Sequence, residues 1–169
     1  MFHLAQWAQR GMRGQVSQAA VAAQYSYVSL YNNSPGPDVL VLRTLHEFNV
    51  SSLSMFMAAV KGVPVGSASG AVLAPIWTGQ AVHAGQIYAG TSATALTPDW
   101  QILVGATVPW IMTGKMPLAI ISPNWALVFT TKAVNVTLSL SLVWEAVPAD
   151  ELLDTSIPPF DKYRLERGL

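Results

Sequence analysis

Between residues 50 and 121 no stretch of ten or more residues keeps a helical apolar period. Short apolar runs, SLSMFMAAV, AVLAPIW, QIYAG, QILVG and LAIIS, are instead cut at close intervals by Gly62, Pro64, Gly66, Gly70, Gly79, Gly85, Gly90, Pro98, Gly105, Pro109, Gly114 and Pro117. Apolar runs of this length between turn formers are the pattern of short strands in a sandwich or barrel.

The flanking regions alternate openly. YSYVSLY (25–31) and VLVLRTLHE (39–47) surround the turn-forming NNSPGPD and predict a hairpin. Both parities of 39–47 are largely apolar, as for a strand buried on both sides or lying under a second subunit. WALVFTT (125–131), the turn KAVN and the strand within VNVTLSLSLVWEAV (134–147) predict a second hairpin. In that last strand Val136, Leu138, Leu140, Leu142 and Trp144 share one face, while Thr137, Ser139 and Ser141 share the other. The N-terminal residues MFHLAQWAQRGM place Phe2, Leu4, Trp7 and Met12 loosely at helical spacing, so 1–23 reads as a short helix or arm. After Val147 the prolines 148, 158 and 159 and a dense run of charges mark a tail, with Phe160, Tyr163 and Leu165 as scattered apolar anchors. The expected architecture is all-β: one antiparallel β-sandwich or jelly-roll-like domain over 24–147, with an N-terminal arm (1–23) and an extended C-terminal tail (148–169).

Charge narrows the function. A chain of 169 residues buries roughly two-thirds of its unfolded surface, so a core is affordable without staples. Charged residues make up 11% of it, against about 25% in ordinary soluble domains. From Phe48 to Trp144 only Lys61, Asp99, Lys115 and Lys132 are charged, and eight charges follow Ala149. A body so poor in charge suits a membrane or a surface covered by protein. No run approaches the roughly 20 apolar residues of a spanning helix, and the arginines of the N-terminus follow its apolar patch, the reverse of a secretory signal. Coverage by protein is the remaining expectation. Nine basic residues balance nine acidic ones, which gives no argument for nucleic acid.

Catalytic patterns are missing. There is no cysteine, so thiolate metal sites and cysteine nucleophiles are excluded. His3, His46 and His83 have no ligand-spaced partner, and Glu47 beside His46 points to the opposite strand face. GSASG (66–70) has Ala68 where a nucleophile elbow needs serine and reads as a close-packed loop. Asp99 is the only carboxylate between Glu47 and Glu145, too few for paired-carboxylate hydrolysis. Phosphate-loop and dinucleotide fingerprints are absent. The sequons at Asn32, Asn49 and Asn135 read as chance matches. The expected protein is not an enzyme and carries no cofactor or metal. Trp77, Trp100, Trp110 and Trp125 read as core or interface residues; a carbohydrate-binding module is the rival, and would need Trp77, Trp100 and Trp110 coplanar on one sheet face.

QYSYVSLYNNSPGPDVLVLRTLHEF, with its xxSxVxLxN strand running into a Pro/Gly turn, resembles the opening of small β-sandwich structural proteins of tailed-bacteriophage virions. ISPNWALVFTTKAVNVTLSLSLVWEAV resembles their closing segment, ending in Trp-Glu. Together the two cover about fifty residues. The resemblance implies a jelly-roll-like fold without catalysis and a place in the virion after synthesis in the host cytoplasm. The expected role is a homotrimeric capsid decoration (cement) protein; a tail, collar or neck component is the alternative. Its partners would be further copies of itself and the major capsid protein or other virion proteins. Hydroxyl side chains cost less to desolvate than Lys or Glu, so Thr137, Ser139 and Ser141, with Trp144 near the strand end, are the expected subunit interface. Phe2, Trp7, Phe160, Tyr163 and Leu165 would clamp neighbouring protein. In the competing reading that strand face is covered by the chain's own arm or tail.

Overall fold

The computed structural model describes residues 10–47, 54–64, 66–68, 71–76, 84–103, 110–113 and 117–149. They form eleven strands: β1 (Gly11–Gln18), β2 (Tyr25–Tyr31), β3 (Val39–Glu47), β4 (Ser54–Lys61), β5 (Val72–Pro75), β6 (Gln86–Ser92), β7 (Trp100–Leu103), β8 (Trp110–Thr113), β9 (Ala119–Ile121), β10 (Trp125–Thr131) and β11 (Leu138–Val147). One sheet, here sheet A, has the order β5-β1-β11-β3-β8, with β9 also paired to β3; sheet B has the order β6-β2-β10-β4-β7. Every pairing is antiparallel, and the two sheets pack face to face over one core. The expected all-β sandwich is the fold.

The pairs are nested. β1 pairs with β11, β2 with β10, β3 with β8 and β9, and β4 with β7, so the chain winds inward as a folded ribbon and back out, as in a jelly roll. Two sequence expectations are corrected here. The segments 25–31 and 39–47 do not form a hairpin, because β2 lies in sheet B and β3 in sheet A; the same holds for β10 and β11. Turn residues end a strand equally well when the chain turns a corner between sheets, so NNSPGPD and KAVN could not distinguish the two. The domain also begins before residue 24. Gly11–Gln18 is an inner strand of sheet A, paired on both sides; the rest of the expected arm, residues 1–9, lies outside the described residues.

Asn32 fixes the first corner. Its side chain is fully buried, its Nδ2–H donates to the carbonyls of Asp38 and Ile121 (both 2.9 Å), and its Oδ1 accepts from the Ser34 amide. At the opposite end Asn135, with φ 62°, accepts from the Ala23 amide at 2.6 Å and so ties the β1–β2 loop to the β10–β11 turn. Both sequon asparagines among the described residues thus make hydrogen bonds within the fold; Asn49 lies outside them.

Trp144 is the largest fully buried side chain. Its Nε1–H donates to the Ala84 carbonyl at 3.1 Å, so the indole brings no unpaired donor into the core. Two glycines make its space: a Cβ on Gly85 would lie 2.4 Å from Trp144 Nε1, and one on Gly14 would lie 2.4 Å from Ile87 and 3.1 Å from the indole ring. Around it pack Met12, Leu30, Leu40, Leu42, Ile87 and Leu142 among others. β3 reaches this core from both parities because its register with β11 shifts at Val143/Trp144. Thr44 pairs with Val143 and Leu42 with Trp144, so Arg43 is the extra residue of a bulge. Leu40 and Leu42 then face inward together with Leu45, while Val39 and Val41 point outward and are buried as well, so β3 is covered on both sides over 39–42.

Sheet B carries a second apolar layer on its outer face, made by Tyr27, Tyr31, Ala126 and Val128 with Tyr25, Val60, Tyr88 and Leu96 around them. Tyr31 and Tyr88 meet edge to face, 5.9 Å between ring centres. β6 and β7 are the two edges of this sheet, so residues 93–99 must cross it. They do so on the outside as a strap: the Thr94 carbonyl accepts from Tyr27 Oη, Leu96 packs on the tyrosines, and Asp99 takes the Ala59 amide at 2.7 Å. Burial under the strap raises the Tyr27 phenol above its ordinary range.

Ala23 holds φ 58° without being glycine. Ala23→Gly should stabilise the fold by about 0.5–1 kcal/mol, relief of left-handed strain outweighing the added unfolded-state entropy, as read by urea denaturation. Asn32→Ala should cost about 2–4 kcal/mol, because it strands buried backbone groups at a corner; a loss under 0.5 kcal/mol in the same measurement would show that this corner is held by its prolines alone.

Candidate interaction surface

The outer face of sheet A is built by register. Cα pairing aligns Val72, Gln15, Ser141, His46 and Ile111 in one row across β5, β1, β11, β3 and β8. The next row is Ala74, Arg13, Val143, Thr44 and Thr113. A third runs Gly11, Glu145, Val41 and Ile120. Alternation puts these positions outside because their neighbours Val16, Leu45, Leu140 and Leu142 fill the core.

Apolar side chains stand open at both margins of the face: Val72 is 70% exposed, Ile111 57% and Ile120 53%. Between them lie Gln15, Ser141 and His46 in the first row and Arg13, Val143 and Thr44 in the second. Among the described residues of these rows the formal charges are Arg13 and Glu145. Glu145 is nearly buried and receives Arg43 Nε at 2.7 Å, with a second contact from the same guanidinium. The bulge brings Arg43 to it, and the pair neutralises itself where burial would otherwise penalise either charge. Toward the third row the face is closed, since Val41 and Val39 are buried although they point outward.

The hydroxyls on this face are largely used within the chain. Ser17 and Ser139 are hydrogen-bonded Oγ to Oγ at 2.7 Å, and Thr137 Oγ1 accepts from the Ala20 amide at 3.2 Å. Thr137, Ser139 and Ser141 thus lie together on the outside, at half-buried positions, as expected. Trp144 does not belong with them. It faces the core from the opposite parity of β11 and is corrected to a packing residue. Phe2, Trp7, Phe160, Tyr163 and Leu165 lie outside the described residues. The exposed Val72, Ile111 and Ile120 escaped the sequence reading because they stand on short strands whose pairing partners are remote in the chain.

The tryptophans do not make a shared platform. Trp100 opens β7 in sheet B and Trp110 opens β8 in sheet A, so the two belong to different sheets; Trp77 lies outside the described residues. Among the described residues no three His, Asp or Glu side chains are grouped to hold a metal ion, and no helix is long and apolar enough to cross a membrane. Comparison with known proteins gave no match to a family model, a curated protein or a solved structure.

If the hydroxyls of β11 serve association, the single chain should hardly need them. Ser139→Val should change unfolding free energy by under about 0.5 kcal/mol, because Ser17 is exposed and regains water as its partner; a loss above 2 kcal/mol on chemical denaturation would make the Ser17–Ser139 pair a fold requirement.

Proposed function

We propose that the protein is a non-enzymatic structural component of a tailed-bacteriophage virion, a capsid decoration protein that self-associates, as a homotrimer, through the outer face of sheet A. The observation that carries this reading is the row from Val72 to Ile111, in which Gln15, Ser141 and His46 stand between exposed aliphatic side chains with no carboxylate, lysine or arginine among them. Such a face is soluble enough to fold alone and inexpensive to dehydrate against protein. The jelly-roll winding agrees with the resemblance carried by residues 24–48 and 121–147.

Dimensions assign a part to the terminal segments. Five strands at about 4.8 Å spacing and three to four rows of outward side chains make a patch of roughly 20 by 20 Å. That is about half of the ~800 Å² a partner contributes to a standard interface. The remaining area falls, on this reading, to residues 1–9 and 150–169, whose Phe2, Trp7, Phe160, Tyr163 and Leu165 would grip neighbouring copies or the major capsid protein. A tail, collar or neck component built on the same face is the alternative within the particle.

Light scattering on a sizing column should give the full chain a mass of three times 18.1 kDa, and the double substitution Val72→Lys, Ile111→Lys should reduce it to 18.1 kDa with an unchanged β-sheet circular dichroism spectrum. A wild-type monomer sinks self-association through this face. Immunogold labelling of particles then separates the two locations: gold on heads supports decoration, and gold confined to tails or necks favours the alternative.

A further inference from the structure

Glu47 is the last residue of β3, opposite Leu140 of β11 and the Trp110 position of β8. Leu140 faces the core, so Glu47 does too, and it is fully buried. Neither of its carboxyl oxygens has a hydrogen-bond partner. The hydroxyls at the same end of sheet B are engaged elsewhere: Ser26 donates to the Val136 carbonyl and Thr131 to that of Ala133. A carboxylate in such surroundings has nothing to replace its water.

Among the described residues no charge compensates it. On β3 itself His46 stands on the opposite face, and Arg43 is paired with Glu145 on the outside. β8 (WIMT) carries no titratable residue, and β11 none before Glu145. β4 offers only Lys61, at its far end, and the turn after β10 only Lys132, which is exposed. The connecting sequences 18–24, 48–53 and 104–109 contain no titratable residue. Accordingly burial alone pushes the Glu47 carboxyl up to about 7.

We infer that Glu47 is an acid latch: as a neutral carboxylic acid it lets the end of β3 lie inward between β11 and β8, and its ionisation releases that end of sheet A. The inference is independent of the proposed virion role. Its sign follows from linkage. Between pH 4.5, the ordinary glutamate value, and about 7 the folded chain holds a proton that the unfolded chain gives up. Stability therefore falls as pH rises through this window, by on the order of 10²-fold in the folding equilibrium constant once complete. Among the described strands β8 pairs only with β3, so it is the strand that loosens with it.

Carboxyl ¹³C NMR of the full chain should show one glutamate titrating with a midpoint near 7; if all titrate near 4.5, the latch is overturned. Hydrogen exchange, corrected for the intrinsic pH dependence, should show protection of amides 44–47 and 110–113 falling at least tenfold between pH 5 and 8. Glu47→Gln should abolish that fall. Protection that stays constant in the wild type, or that falls equally in Glu47→Gln, overturns the release; should the variant fail to fold, the wild-type titration and exchange still decide.

Discussion

The pairing of β1 with β11 is the constraint on which the rest of this molecule depends. Eight residue pairs, from Gly11↔Glu145 to Gln18↔Leu138, join segments more than a hundred residues apart, and only when they meet is the central strand of sheet A flanked on both sides. The inner faces of β1 and β11 then contribute Met12, Val16, Leu138, Leu140, Leu142 and Trp144 to one core. The chain must close its longest loop to collect this burial, which places it among slow-folding topologies. It also explains why Gly14 is where it is: the strand that closes the winding passes directly under the indole it helps to bury.

Much of this was legible in the residues. Period-two alternation at 25–31, 39–47, 125–131 and 138–147 marked four strands, and the parity of Leu138 to Trp144 against Ser139 and Ser141 identified the faces of β11. What alternation cannot report is the partner. NNSPGPD and KAVN have the chemistry of tight turns, yet each carries the chain from one sheet to the other, because nested pairing is decided by distant strands rather than by the turn. The bulge at Arg43 flips side-chain parity within β3, so Leu42 and Leu45 share the core face although their spacing in the sequence sets them on opposite parities. Gly11–Gln18 looked like an arm because its glycines and glutamines lack strand propensity; packing against Trp144 overrides that preference. The surface site was half visible: its hydroxyls follow from β11 alone, whereas its aliphatic borders arrive from β5, β8 and β9.

Charge is distributed with a consistent logic. Where a carboxylate and a guanidinium are both drawn toward dry surroundings, as Glu145 and Arg43 are, they meet and satisfy each other. Among the described residues Glu47 has no such counterpart, and burial favours its neutral form. The same scarcity of charge that leaves the outer face of sheet A inexpensive to cover thus deprives the interior acid of a partner.

The strap at 93–99 gives the sandwich a direction. By crossing sheet B and seating Leu96 on its tyrosines, it occupies one of the two broad faces from within the chain, leaving a molecule with a back and a front. A brick that is adhesive on both broad sides grows into stacks without end, and one that is adhesive on a single side can only complete a finite set around an axis. If association runs through the outer face of sheet A, as proposed, the seven residues of the strap are what would keep it one-sided.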